Sequence, residues 1–183
     1  HHVFTRPSFL PEDWEAYREV NQRFADAVLE EAGDEPAVVF IQDYHFALLP
    51  AMLKQRNPNL VVAQFWHIPW PNPEVFQGFP WKQELLDGML GNDLLWFHLR
   101  QHCQNFLETV DTTVEAKIDR ERFDITRAGK STSVRPFPIS LDFERHSALA
   151  GSSSTSREMV RWRRQLGLRG EALGIGIDRI DYT

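Results

Sequence analysis

The sequence predicts an α/β protein built on an open parallel sheet, and three observations support this fold class. Three short apolar runs, at residues 37–41, 60–66 and 93–97, have the length and composition of strands buried on both faces. Helical patterns alternate with these runs, as expected for parallel strands joined by right-handed crossovers. The 183 residues, 42% of them hydrophobic, suffice for one domain with a core or one domain plus part of another.

The first helix is predicted from Pro11 to Glu31, with Gly33 following as a stop signal. We expect its buried face to consist of four residues at helical spacing: Trp14, Tyr17, Phe24 and Val28. A second helix is predicted at 46–56, where Pro50 should kink or restart it.

Two more helices complete the alternation, at 81–90 and 100–115. The buried side of the last one should consist of Phe106, Leu107 and Val110.

The remaining third of the chain is less regular. Two prolines in segment 132–139 favour an edge strand or a connector. The small polar residues 151–156 indicate a linker, in which Ser156 would cap a helix over 157–166, and residues 172–177 predict another strand.

The sequence therefore predicts two domains of unequal completeness. Residues 1–140 form the first, residues 141–156 the connection, and residues 157–183 the opening helix and strand of the second. Because the sequence begins without Met and stops directly after a predicted strand, we expect an internal piece of a longer protein.

Composition excludes several classes of protein. The net charge of -6 lacks the basic footprint of a nucleic-acid-binding protein. No apolar run approaches the roughly 18 residues of a membrane-spanning helix. The single cysteine, Cys103, excludes an internal disulfide framework and fits a reducing compartment, so a cytoplasmic location is expected.

Polar residues follow each of the three predicted strands: Asp43 after the first, His67 after the second and His98 after the third. Because ligands bind outside the carboxyl ends of parallel strands, we expect these residues to converge on one edge of the sheet. Each also has a structural alternative. Asp43 could be a helix N-cap, and His67 and His98 could be hydrogen-bonded core histidines.

Two further positions in the sequence are candidate sites. Arg179 follows the last predicted strand, where a guanidinium suits a nucleotide phosphate, although spacing alone slightly favours a local ion pair with Asp181. His98 and His102 are four residues apart, but without a neighbouring carboxylate pattern we predict no metal site.

Five motifs run in order along nearly the whole chain. They begin with Val39-Phe40-Ile41-Gln42-Asp43-Tyr44-His45 and continue with His67-Ile68-Pro69-Trp70-Pro71, Asp93-Leu94-Leu95 with Phe97-His98, Arg135-Pro136-Phe137-Pro138-Ile139 and Ile177-Asp178-Arg179-Ile180-Asp181-Tyr182-Thr183. Together they resemble the signatures of the trehalose-6-phosphate synthase family of retaining glycosyltransferases.

The resemblance implies the GT-B fold, in which two Rossmann-like domains face each other. The chain would be most of the N-terminal, acceptor-side domain plus the start of the nucleotide-sugar-binding domain. It also implies glucose transfer from UDP-glucose to glucose 6-phosphate, giving α,α-trehalose 6-phosphate without metal or cofactor. By position, Asp43 would bind the acceptor, His67 the donor glucose and Arg179 the donor diphosphate, and His98 would be a further polar cleft residue.

Three residues depart from the family pattern: Trp70, Trp96 and Ser140. They leave two alternatives open, a sister activity that glucosylates glycerol 3-phosphate and a non-catalytic, regulatory synthase-like domain. A homo-oligomer also stays open. The 183-residue chain alone should be inactive, because the resemblance places half of the donor site outside it.

Overall fold

The computed structural model describes residues 7–33, 35–170 and 174. The chain divides into two compact units, residues 1–138 and 139–183. The assignment of residues 157–183 to a second, nucleotide-sugar-binding domain stays a prediction.

A six-stranded mixed sheet forms the centre of the first unit. Its strands are β1 (Val38–Gln42), β2 (Val61–Trp66), β3 (Leu94–Phe97), β4 (Lys117–Asp119), β5 (Asp124–Arg127) and β6 (Lys130–Pro136). Their order is β1-β2-β3-β6-β5-β4, with parallel pairing from β1 to β6 and antiparallel pairing from β6 to β4. The α/β class is confirmed, and the wholly parallel sheet is corrected by the antiparallel strands β5 and β4.

Helices pack on one face of this sheet. They are α1 (Pro11–Ala32), a 3-10 helix (Tyr44–Phe46), α2 (Leu49–Arg56), α3 (Pro73–Phe76), α4 (Lys82–Met89) and α5 (Arg100–Thr113). The alternate strand residues Ile41, Val62, Leu95 and Val134 point into the core beneath them. On the opposite face, the β1 residues Val38 and Phe40 are exposed.

One helix prediction needs correction and another is confirmed. The buried face of α1 contains Asn21, while Phe24 is 47% exposed. Asn21 is buried because its side-chain oxygen accepts hydrogen bonds from the backbone N–H groups of Leu48 and Leu49, at 3.1 Å each. Pro50 lies in the first turn of α2, where its missing N–H has no helical partner to lose, so the predicted restart is confirmed: α2 begins at Leu49, after the 3-10 helix.

The segment 132–139 is not an edge strand. Its residues up to Pro136 belong to β6, which lies between β3 and β5 inside the sheet. The prolines are tolerated because Pro136 is the last residue of the strand and Pro138 lies beyond it. Val134 N–H still donates to the Phe123 carbonyl at 2.8 Å, so the interior pairing is intact.

The described part of the second unit contains two helices, α6 (Phe143–Ala150) and α7 (Ser153–Gln165). The predicted linker at 151–156 is wrong, because Gly151 ends α6 and Ser152, not Ser156, caps α7. The Ser152 hydroxyl accepts from Thr155 N–H at 3.2 Å, which satisfies one of the free donors at the helix start. The strand predicted at 172–177 lies outside the described residues.

Candidate active site

The carboxyl ends of β1, β2 and β3 bring three polar residues together. Asp43, His67 and His98 each follow one of these neighbouring parallel strands. The rings of His67 and His98 lie 5.8 Å apart between centroids. The backbone N–H of His67 donates to Asp43 Oδ1 at 3.1 Å. The structure therefore places the three residues on one edge of the sheet, which we call the rim. Their chemical roles stay predictions.

Three hydrogen bonds fix Asp43 to the β2 segment. Its N–H donates to the Phe65 carbonyl at 2.7 Å, its own carbonyl accepts from Gln64 Nε2 at 2.9 Å, and its carboxylate accepts from His67 N–H. Asp43 precedes the 3-10 helix but makes no side-chain cap there. The N-cap alternative is therefore wrong, and the carboxylate stays at the rim.

The Asp43 backbone is strained. Its φ of 61° and ψ of -166° lie in a region that glycine adopts freely and other residues rarely adopt. Such conformations persist only where the surrounding structure enforces them, and they concentrate at functional sites. The three hydrogen bonds to the β2 segment enforce this one.

His67 is held at the rim by a second side chain. Its Nε2 lies 2.9 Å from Gln42 Oε1, and its ring packs on Phe65 at 4.5 Å between centroids. Because an amide oxygen only accepts, this contact requires a proton on Nε2. His67 is partly exposed, so the core-histidine alternative does not apply.

His98 shares the Phe65 ring with His67. The centroids of His98 and Phe65 are 4.9 Å apart, at an interplanar angle of 89°. Partial burial lowers the pKa of His98, the nearby His67 lowers it further, and the Asp43 carboxylate opposes both effects. The rim thus favours a neutral His98 imidazole, which can either donate or accept a hydrogen bond.

Two tryptophans at and after the carboxyl end of β2 lie in the core. Trp66 and Trp70 are 5% and 2% exposed, and Trp70 Nε1 donates to Thr109 Oγ1 at 3.1 Å. Trp96 packs against Phe65 at 5.9 Å and Phe137 at 5.7 Å between centroids. It lies two residues before His98 on β3, below the rim rather than on it.

Two functional candidates are new and one predicted residue is not placed. Gln42 and Gln64 contact His67 and Asp43, and sequence reasoning missed both. Gln64 carried a usable signal, since an amide inside an otherwise apolar strand requires a hydrogen-bonding partner. Arg179 lies outside the described residues, so its contact with a diphosphate stays a prediction.

The described ranges contain neither a candidate metal site nor a candidate membrane span. No group of three His, Cys, Asp or Glu residues there could hold a metal ion. In the same part of the chain, every helix is too short or too polar to cross a bilayer.

A parallel α/β core with polar residues at its strand ends defines a class, the Rossmann-like proteins that bind ligands at this edge. Comparison with known proteins identifies the family within it. The model of glycosyltransferase family 20 matches residues 2–183, so the chain belongs to that family.

Individual relatives agree with this assignment. Over 190 residues the chain is 38% identical to a trehalose-6-phosphate synthase of Mycolicibacterium gilvum, covering 100% of this chain and 37% of the relative. A UDP-forming α,α-trehalose-phosphate synthase structure from Burkholderia xenovorans superposes with a TM-score of 0.82 and 25% identity, over 96% of this chain and 38% of that one.

The corresponding Escherichia coli structure, bound with UDP-2-fluoro glucose, gives a TM-score of 0.78 and 23% identity over 91% of this chain and 36% of that one. These likenesses establish the GT-B fold. The chain spans less than two fifths of the length of each relative.

Proposed function

We propose that the complete protein encoded with this chain is a retaining glucosyltransferase that makes α,α-trehalose 6-phosphate from UDP-glucose and glucose 6-phosphate. The observation that carries the proposal is the rim, where Asp43, His67 and His98 meet at the strand ends of a family 20 chain. The relatives named as trehalose-6-phosphate synthases support this reaction, and the Escherichia coli structure supports a UDP-glucose donor.

The proposed reaction exchanges one bond for another on the same face of the donor sugar. The bond between glucose C1 and the β-phosphate oxygen of UDP-glucose breaks, and a bond forms between C1 and the anomeric hydroxyl oxygen of the acceptor. The proton of that hydroxyl passes to the departing phosphate. No enzymic nucleophile is needed, so the protein acts by orientation and by stabilising charge.

The rim residues suit these two tasks, orienting the substrates and stabilising charge. The Asp43 carboxylate has acceptor capacity beyond its bond to His67 N–H, and it would receive hydrogen bonds from acceptor hydroxyls. His67, oriented by Gln42, would contact the donor glucose. Arg179 would neutralise the departing diphosphate.

The buried single cysteine, Cys103, is compatible with the reducing cytoplasm proposed as the location.

The test is an assay of the complete gene product with UDP-glucose and glucose 6-phosphate. We expect Asp43→Asn and His67→Ala each to lower kcat/KM by about a hundredfold or more, because each removes an oriented contact to a reacting sugar. Asp111→Asn is the matched control, since it only breaks an exposed ion pair with Arg120 and should leave the rate unchanged. Chelation of divalent cations should also leave it unchanged.

Two outcomes would contradict the proposal. Turnover of glycerol 3-phosphate in place of glucose 6-phosphate would assign the sister activity. Calorimetric binding of sugar phosphate without turnover of any donor would assign a regulatory domain.

A further inference from the structure

A chain of buried polar side chains connects the rim to the interior of the sheet. Gln64 in the middle of β2, Asn92 before β3 and Thr132 in β6 are 0%, 2% and 1% exposed. Asn92 Nδ2 donates to Gln64 Oε1 at 2.8 Å, and Thr132 Oγ1 lies 2.8 Å from the Asn92 carbonyl oxygen. The Gln64 amide nitrogen, at the end of this chain, donates to the Asp43 carbonyl.

Both ends of the Gln64 amide are therefore occupied. Its oxygen is fixed by Asn92 and its nitrogen by Asp43, so the side chain has one orientation. An apolar residue would suit a strand face covered by helices at least as well as an amide does. What the amide adds is a directed donor at the carbonyl of the strained residue.

We propose that Gln64 is a positioning residue that holds Asp43 in its strained conformation, and thereby aims the Asp43 carboxylate at the rim. Without the Gln64 donor, the Asp43 carbonyl is free to rotate and the backbone relaxes to an ordinary φ. The Asp43 carboxylate then moves away from the rim and loses its hydrogen bond with the backbone N–H of His67. The catalytic part of this inference rests on the proposed function, whereas the conformational part does not.

The conformational part is tested by a double-mutant cycle in melting temperature, using the complete gene product. Asp43→Gly should raise the melting temperature by about 2 °C, because glycine adopts this backbone without strain. In a Gln64→Met background the same change should raise it by less than half as much, since Asp43 has already relaxed there. Equal gains in the two backgrounds would overturn the inference, whether or not the protein turns over substrate.

The catalytic part is tested by the kinetics of Gln64→Met. We expect kcat/KM for the acceptor to fall about tenfold or more, while KM for UDP-glucose changes less than about twofold, because the displaced group serves the acceptor side. Lys54→Met is the control, since it removes a hydrogen-bonded ion pair at the opposite end of the strands. It should lower the melting temperature and leave kcat/KM unchanged.

A milder variant keeps the test decisive if Gln64→Met does not fold. Gln64→Asn is one methylene too short to reach both Asn92 and the Asp43 carbonyl, and the same selective loss is expected. An unchanged acceptor kcat/KM in either folded variant would contradict the positioning role. A wild-type protein without transferase activity would refute only the proposed function, because the melting-temperature cycle is read independently.

Discussion

The two ends of the parallel strands are each secured by an aspartate, but in opposite ways. At the amino ends, Asp93 accepts from Val62 N–H at 2.7 Å and forms an ion pair with Lys54, whose side chain is only 11% exposed. At the carboxyl ends, Asp43 accepts from His67 N–H from a strained backbone. Among the residues that the structure describes, no ion pair joins Asp43 to a cation.

This difference separates stability from chemistry within one sheet. The Asp93 carboxylate is paired with Lys54, and its oxygens accept hydrogen bonds that stabilise the fold. The Asp43 carboxylate has no ion-pair partner among the described residues, and its backbone carries strain that a purely structural residue would not require. Ligands bind at the carboxyl ends of parallel strands, so the strained, unneutralised end is where a ligand site is expected.

The largest effect on stability should come from Gly91, which lies just before β3 at the amino end. A Cβ there would lie 2.3 Å from Ala51 N and 2.5 Å from Ala51 Cα, both backbone atoms that cannot move aside alone. We expect Gly91→Ala to cost about 3 kcal/mol in the free energy of unfolding, measured by denaturant titration. Gly78→Ala is the control, because its nearest contact would be an ordinary 3.5 Å. Equal stability of the two variants would show that α2 and α4 can separate easily.

Substitutions of Asp93 and Asp43 should change the free energy of unfolding by smaller amounts and with opposite signs. Asp93→Ala leaves the Lys54 charge and Val62 N–H without their partner, and should cost about 2 kcal/mol in the free energy of unfolding. Asp43→Gly should instead gain about 1 kcal/mol while abolishing activity. Glu19→Ala, which breaks an exposed pair with Arg23, should change stability by less than about 0.5 kcal/mol. Loss of stability in Asp43→Gly would contradict the assignment of strain.

The sequence predicted the parallel part of the fold because its signals are local. The apolar runs around β1, β2 and β3 read as buried strands without knowledge of their neighbours. Strand direction then placed Asp43, His67 and His98 on one edge, since parallel strands end together. The rim was therefore predictable as a location, although not in its hydrogen bonding.

The antiparallel part was missed because its signals are not local. Strands β4 and β5 are three and four residues long and mostly polar, so they form only by pairing next to β6. The turn between β5 and β6 has Ala128 and Gly129 at φ 49° and 77°, the left-handed pair that suits a two-residue hairpin. Because Ala rather than Asn stands at the first of these positions, the sequence lacks the Asn-Gly pair that predicts such a hairpin.

The burial of Asn21 and Gln64 was not predicted, because it depends on hydrogen bonds to residues distant in the sequence. Nothing near Asn21 or Gln64 in the sequence reveals the partners that bury them, which lie more than 20 residues away. A polar residue inside an apolar pattern marks such a position without identifying what it binds.

The smallest effect concerns the pH dependence of stability. Burial, followed by the neighbouring charge of His67, lowers the pKa of His98, so the folded protein binds this proton less readily than the unfolded chain. The stability that His98 contributes is fully present above its unfolded pKa of about 6.5, and is lost as the pH falls toward and through the lower folded value. His102, whose pKa is also lowered by burial and by His98, acts in the same direction.

Melting temperatures measured between pH 8 and pH 5 should therefore decline toward acid, and His98→Gln should make the decline shallower. An unchanged slope in His98→Gln would mean that burial and the neighbouring His67 do not lower the pKa of His98 in the folded protein. The rim would then depend on hydrogen bonding and strain alone.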